Sequence, residues 1–167
     1  MYDSARTALR ELEDDQVFER VALHVLRARF PELRITSATG DLGRDAFGRP
    51  LFGKDDSVVL WVSLQEKWTS KLKSELVKNR RHDRRAKAIY VTNRSTTEKV
   101  KERWRKTASD DYGVALEILT LAELATELDS DGLRWVAELE LGCVLERPTG
   151  CRRAPSTWRS LPGRCRG

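Results

Sequence analysis

Apolar positions recur along this chain in two rhythms, one of helices and one of buried strands. In DDQVFERVALHVLRARFPEL, Phe18, Val21, Ala22 and Val25 follow i, i+3, i+4, i+7 spacing, which predicts an amphipathic helix. Asp14 or Asp15 can cap its start and Pro31 stops it. Residues 1–13 are open between an earlier helix and a frayed arm. LRITSA reads as a short strand. TGDLGRDAFGRPLFGKDD follows, with four glycines and a proline around a short strand candidate at Arg44 to Phe47, the punctuation of a hairpin.

SVVLWVSLQ is the strongest strand signal, apolar on both faces, as in a central strand covered on both sides. TSKLKSELVKNRRHDRR predicts a basic helix with Leu72 and Leu76 inward, and KAIYVTN a second buried strand. STTEKVKERWRKTA opens with Ser95 and Glu98 at capping-box spacing and presents Val100, Trp104 and Ala108 on one face. VALEIL is a strand. Thr120 and Glu123 make a second capping box for LAELATELD, whose Leu121, Leu124, Ala125 and Leu128 turn inward. DGLRWVAELELG is a last helix closed by Gly142. Helices between the later strands imply parallel crossovers, and the glycine-rich link implies an antiparallel hairpin before them. The expected fold is α/β: a mixed central sheet (helix, three strands, helix, strand, helix, strand) flanked by helices on both faces.

Composition changes this picture at its ends. The 167 residues suit one domain with a real core, and 40% are hydrophobic. Residues 1–142 carry the periodic pattern. Residues 143–167 hold three of the five prolines and six arginines without periodicity, and read as a disordered or linker tail, or as the sign that the chain is part of something longer. No apolar run is long enough to cross a bilayer, and MYDSARTALRELEDD is too charged for a signal peptide, so a cytoplasmic protein with no membrane partner is expected. Cys143, Cys151 and Cys165 form no C-x-x-C pair and lie far from His24 and His82, which reads as incidental thiols rather than zinc. His24 reads as a packed helix residue. The tryptophans read as core, apart from Trp158.

Charge points to a polyanion. The net charge is +5, and from Lys67 to Lys87 nine basic residues stand against two acidic ones. Lys71, Lys73, Lys78, Arg80, Arg81, Arg84 and Arg85 are candidate phosphate contacts, which give affinity without sequence choice. The bland alternative is a solvated helix face.

A helix, a hairpin carrying an Asp, a strand running into Gln-x-Lys, then a helix: over residues 14–141 this order resembles the PD-(D/E)XK nuclease superfamily, in the branch of the Mrr-like restriction endonucleases. GDLGRDAFG is similar to that branch's glycine-flanked metal Asp, here Asp45. QEK is similar to its Gln-x-Lys motif, here Gln65 and Lys67. FERVA is similar to the position of an auxiliary acid, here Glu19. WTSKLKSELVKN, KAIYVTNRS and LEILTLAELATELD extend the likeness to nuclease-fold modules at the front of bacterial defence ATPases.

The resemblance implies a restriction-endonuclease-like fold for the domain and a Mg2+-dependent endonuclease, with Mn2+ as a substitute. DNA is the implied partner, antiviral defence the setting, and a homo-oligomer or larger multidomain chain the context. Asp45 would anchor the metal, with the Glu66 carbonyl and Glu19 as further ligands. On a continuing strand Gln65 and Lys67 would leave one face, Lys67 to orient water and stabilise the phosphorane charge. A second register is open. Defence relatives often read Gln-x-Ser shortly before a Trp, which would align Trp61 and Ser63 ahead of Trp68. Trp61 cannot bind a metal, and Lys67 or Lys71 would then have to reach the site. That register is compatible with a catalytically inactive module for nucleic-acid binding or self-assembly. A dinucleotide-binding domain is disfavoured, because no Gly-x-Gly-x-x-Gly opens a helix after a strand.

Overall fold

A computed structural model describes residues 4–31, 33–34, 47–48 and 58–144. The elements in order are α1 (Ala5–Glu11), α2 (Asp15–Arg29), β1 (Leu33–Arg34), β2 (Phe47–Gly48), β3 (Val58–Ser63), α3 (Trp68–Lys78), a π-helical turn (Asn79–Asp83), β4 (Lys87–Thr92), α4 (Glu98–Tyr112), β5 (Ala115–Leu119), α5 (Leu121–Leu128) and α6 (Arg134–Glu140). Ala5–Glu11 thus form a helix of their own, α1, capped by Ser4.

The architecture is α/β around a three-stranded parallel sheet ordered β3-β4-β5. Leu60 pairs with Ile89 and Ile89 with Glu117, so β4 is the central strand. The crossovers through α3 and α4 make the three strands parallel, as the helical patterns between them require. The expected single mixed sheet is met only in part. Among the described residues β1 and β2 form a separate antiparallel pair, with Leu33 opposite Gly48 and Arg34 opposite Phe47, and no ladder joins it to β3.

Alternation along the strands divides the core. Val58, Leu60, Ile89 and Val91 face α1, α2, α5 and α6, where Phe18, Val21, Leu26, Leu124 and Leu128 complete one apolar cluster. Val59, Trp61, Ala88, Tyr90, Leu116 and Ile118 face Trp68, Leu72 and Leu76 of α3 and Ala108 of α4 in the other. Both faces of β4 are buried, which explains the unbroken apolar run in KAIYVTN.

Local signals set most helix ends. The Asp14 carboxylate accepts from the Gln16 and Val17 amides at 2.8 and 3.0 Å. Thr120 and Glu123 form the expected capping box. Gly113, at φ 67°, and Gly142, at φ 63°, take the left-handed conformation that ends α4 and α6. The Ser95–Glu98 box does not form: Thr97 is the cap, and Glu98 instead receives Arg105 at 2.6 Å. Trp135 departs from the expected core role, since α6 leaves it 47% exposed, with the ring of His24 edge-on to it at 4.9 Å.

Candidate functional site

The carboxyl ends of the three parallel strands form one polar edge. β3 stops at Ser63, so Gln65, Glu66 and Lys67 do not continue it, as alternation had suggested. They occupy the turn into α3, all three exposed, and Lys67 is the cap residue of that helix. The cause is a local hydrogen bond. Leu64 still keeps the alternation and packs in the same cluster as Val58 and Leu60, but the Ser63 hydroxyl accepts the Gln65 amide at 3.2 Å, which bends the chain out of the sheet. The Lys67 carbonyl then accepts the Ser70 and Lys71 amides at 3.0 and 3.2 Å and starts α3.

Three residues not singled out in the sequence hold this edge in place. Arg94 donates through Nε and Nη2 to the Leu64 carbonyl at 3.2 and 2.6 Å, fixing the bond just before Gln65. Its own carbonyl accepts the Leu121 amide at 3.2 Å, so the exits of β3, β4 and β5 are tied together. Asn93, buried, donates through Nδ2 to the carbonyls of Leu9 and Leu12 at 2.9 and 3.4 Å and seats the end of α1 against the exit of β4. Tyr90 donates its hydroxyl to the Trp68 carbonyl at 3.1 Å. Burial pushes the Tyr90 hydroxyl up to about 12, against the lowering effect of the Ser63 hydroxyl. The one sequence signal for this edge was the polar run TNRS after a buried strand.

Lys101 adds a buried charge nearby. It is 4% exposed on α4 and pairs with Glu123 of α5, with Glu98 at 3.6 Å. Burial pushes the Glu123 carboxyl up. The Lys101 ammonium and the Thr120 hydroxyl and amide, at 2.5 and 2.9 Å, outweigh that and hold it down at about 2.

The other candidate residues fall in different places. Asp45 lies outside the described residues. Glu19 is half-buried on α2 and already engaged in an interaction. Trp61 and Ser63, the alternative register, are 6% and 5% exposed, with Trp61 packed in the α3–α4 cluster. Among the described residues no three Asp, Glu, His or Cys side chains gather around one point. Among the described residues of the β3 exit the exposed side-chain oxygen donors are the Gln65 amide and the single Glu66 carboxylate. Magnesium wants several oxygen ligands, so these donors do not by themselves make its site.

The basic segment also separates into parts. The Lys71 and Lys78 ammoniums both hold Glu75, at 2.8 and 3.1 Å. Burial pushes the Glu75 carboxyl up, but the two lysines bring it below its ordinary value. The eleven residues of α3 carry the chain back about 16 Å along the sheet. Arg80, Arg81, Arg84 and Arg85 therefore lie at the amino-terminal edge of the strands, opposite the Gln65–Lys67 turn rather than beside it.

That edge is built by a π-helical turn. Arg84 closes it in the left-handed region, at φ 49°, a conformation that costs a non-glycine residue about 1 kcal/mol. Its amide donates to the Asn79 carbonyl at 2.6 Å. Arg80 donates through Nη1 to the Asp111 carbonyl at 3.0 Å, against the carboxyl end of α4. Above the turn is an open pocket of about 360 Å³. No family model matches this chain, and no curated protein matches it.

Proposed function

We propose that this chain is a nuclease-fold domain that acts on DNA as a metal-dependent endonuclease, with the exit of β3 as its reacting edge. The reading is carried by the exposure of Gln65, Glu66 and Lys67 on the turn that leaves a buried parallel strand. Every residue of β3 is spent on packing. The turn after it is held by the core and by Arg94 yet open to solvent, and open α/β sheets bind their ligands outside the carboxyl ends of the strands. Lys67 meets the charge that builds on a phosphate under attack, and Gln65 orients the group beside it. Mg2+, or Mn2+ in its place, would supply the acidic water, with Asp45 as the anchoring carboxylate and the Glu66 carbonyl and Glu19 as the further ligands. In the cell such a domain serves as a cytoplasmic defence effector, as a homo-oligomer or part of a longer chain. Incubating supercoiled plasmid with the protein and Mg2+ or Mn2+ tests it. Wild type nicks the plasmid, and Asp45→Ala and Lys67→Ala each slow nicking by about 100-fold. Nicking that survives both substitutions ends the assignment.

One observation favours a second reading, a nuclease-fold module that binds nucleic acid without cutting it. In the register that aligns Trp61 and Ser63 with the motif, both residues are buried and neither reaches solvent. Wild type that retards DNA but leaves the plasmid intact with either metal selects this reading.

A further inference from the structure

We propose that the pocket over the π-helical turn is a phosphate site, which takes a phosphate group of a nucleic-acid strand at the edge of the sheet opposite the Gln65–Lys67 turn. The inference rests on the nucleic-acid reading for the source of the phosphate and not on cleavage.

The lining carries the argument. Among the described residues Asn79, Arg80, Arg84, Arg85, Ala86, Tyr112 and Gly113 line the space and bring three guanidinium groups to it, of which Arg85 is already engaged in an interaction. Guanidinium groups recognise phosphate through paired N–H donors. Arg80 is held in the wall by its bond to the Asp111 carbonyl, which spends one donor of its five and offsets the negative end of α4. Arg84 stands in a left-handed position that suits glycine better, and among the described residues it has no ion-pair partner. An arginine kept in a strained place without an internal partner points to an external one. Two of the three lysines of α3 differ in this respect, since Lys71 and Lys78 are occupied by Glu75. At about 360 Å³ the pocket falls in the range of small-molecule sites and admits a nucleotide unit, with the half-buried Tyr112 as a surface for its sugar or base.

Fluorescence anisotropy with a labelled DNA duplex in EDTA tests the site on the full chain, with inorganic phosphate and AMP as competitors. Arg84→Gly removes the guanidinium while suiting the backbone, so its melting temperature is expected to be no lower than that of wild type. It should weaken DNA binding about tenfold and reduce the salt slope by about one. Arg6→Gln, which removes an equal charge from the exposed face of α1, should change binding by less than about twofold. Equal losses in the two variants overturn the site in favour of general charge. AMP binding lost in Arg84→Gly while DNA binding is intact overturns the strand as the source. Wild type that cuts plasmid, with Arg84→Gly binding DNA as tightly as wild type, sinks this inference alone. Wild type that binds no DNA sinks it together with the function proposed above.

Discussion

Asn79 holds both backbone polar groups of Arg85: its Nδ2 donates to the Arg85 carbonyl at 2.9 Å, and its Oδ1 accepts the Arg85 amide at 3.1 Å. Asn79 is buried beneath the end of α3, so this side chain takes the place of a strand partner and fixes where β4 begins. Asn79→Ala leaves an amide and a carbonyl without partners and is expected to cost about 2–3 kcal/mol, read as a lower urea midpoint at unchanged m-value. A loss under about 0.5 kcal/mol would show that the π-turn holds itself.

Arg94 is expected to act on the reaction by holding the turn. Its two bonds to the Leu64 carbonyl sit one residue before Gln65. Arg94→Ala should slow plasmid nicking at least about tenfold with a loss of stability near 1–2 kcal/mol. Arg94→Lys, which keeps one donor, should recover part of the rate. Nicking at the wild-type rate in Arg94→Ala would mean that the turn needs no support from β4.

The Lys101–Glu123 pair makes acid stability sensitive to one carboxyl. Glu123 is held at about 2 in the folded chain against about 4.3 unfolded, so its contribution is fully present above pH 4.3 and is lost as pH falls toward 2. Glu123→Gln should flatten the urea midpoint between pH 5 and 2 relative to wild type, while lowering it at pH 7. Parallel pH curves for the two proteins would contradict the pairing. Lys101 is 4% exposed and its loss leaves the Glu123 carboxylate without its ammonium, so Lys101→Ala should destabilise more than Lys106→Ala on the exposed face of the same helix.

Tyr90 gives a spectroscopic check on the packing under the β3 exit. Its hydroxyl is raised to about 12 by burial, so its stabilising effect is present below the unfolded value near 10 and is lost as pH rises through 12. A wild-type minus Tyr90→Phe absorbance titration should show only about one-tenth of the phenolate signal at pH 11. A phenolate appearing near pH 10 would place the hydroxyl in water.

The parallel part of the sheet was legible because two-sided apolar strands and helices between them leave few arrangements: SVVLWVSLQ, KAIYVTN and VALEIL each became a strand, and the intervening patterns became α3 and α4, whereas the hairpin expected in the same sheet forms a separate pair among the described residues. The end of β3 was not. Gln65 and Lys67 keep the strand alternation in sequence, but the Ser63 hydroxyl bond to the Gln65 amide turns the chain first. The basic run was legible as charge and illegible as position, because only the length of α3 and the parallel crossover send Arg80–Arg85 to the opposite edge. Arg94, Asn93 and Asn79 escaped notice because their roles depend on backbone partners set by the fold; Asn93 meets α1 more than 80 residues away. Lys101 carries no signal in the sequence, since its partner Glu123 lies 22 residues on.

The central claim, that the exit of β3 carries the chemistry, is tested most directly by single-turnover nicking of supercoiled plasmid at saturating Mg2+, wild type against Lys67→Ala. The rate is expected to fall about 100-fold with DNA affinity changed by no more than a few-fold. Equal rates for the two proteins would contradict it.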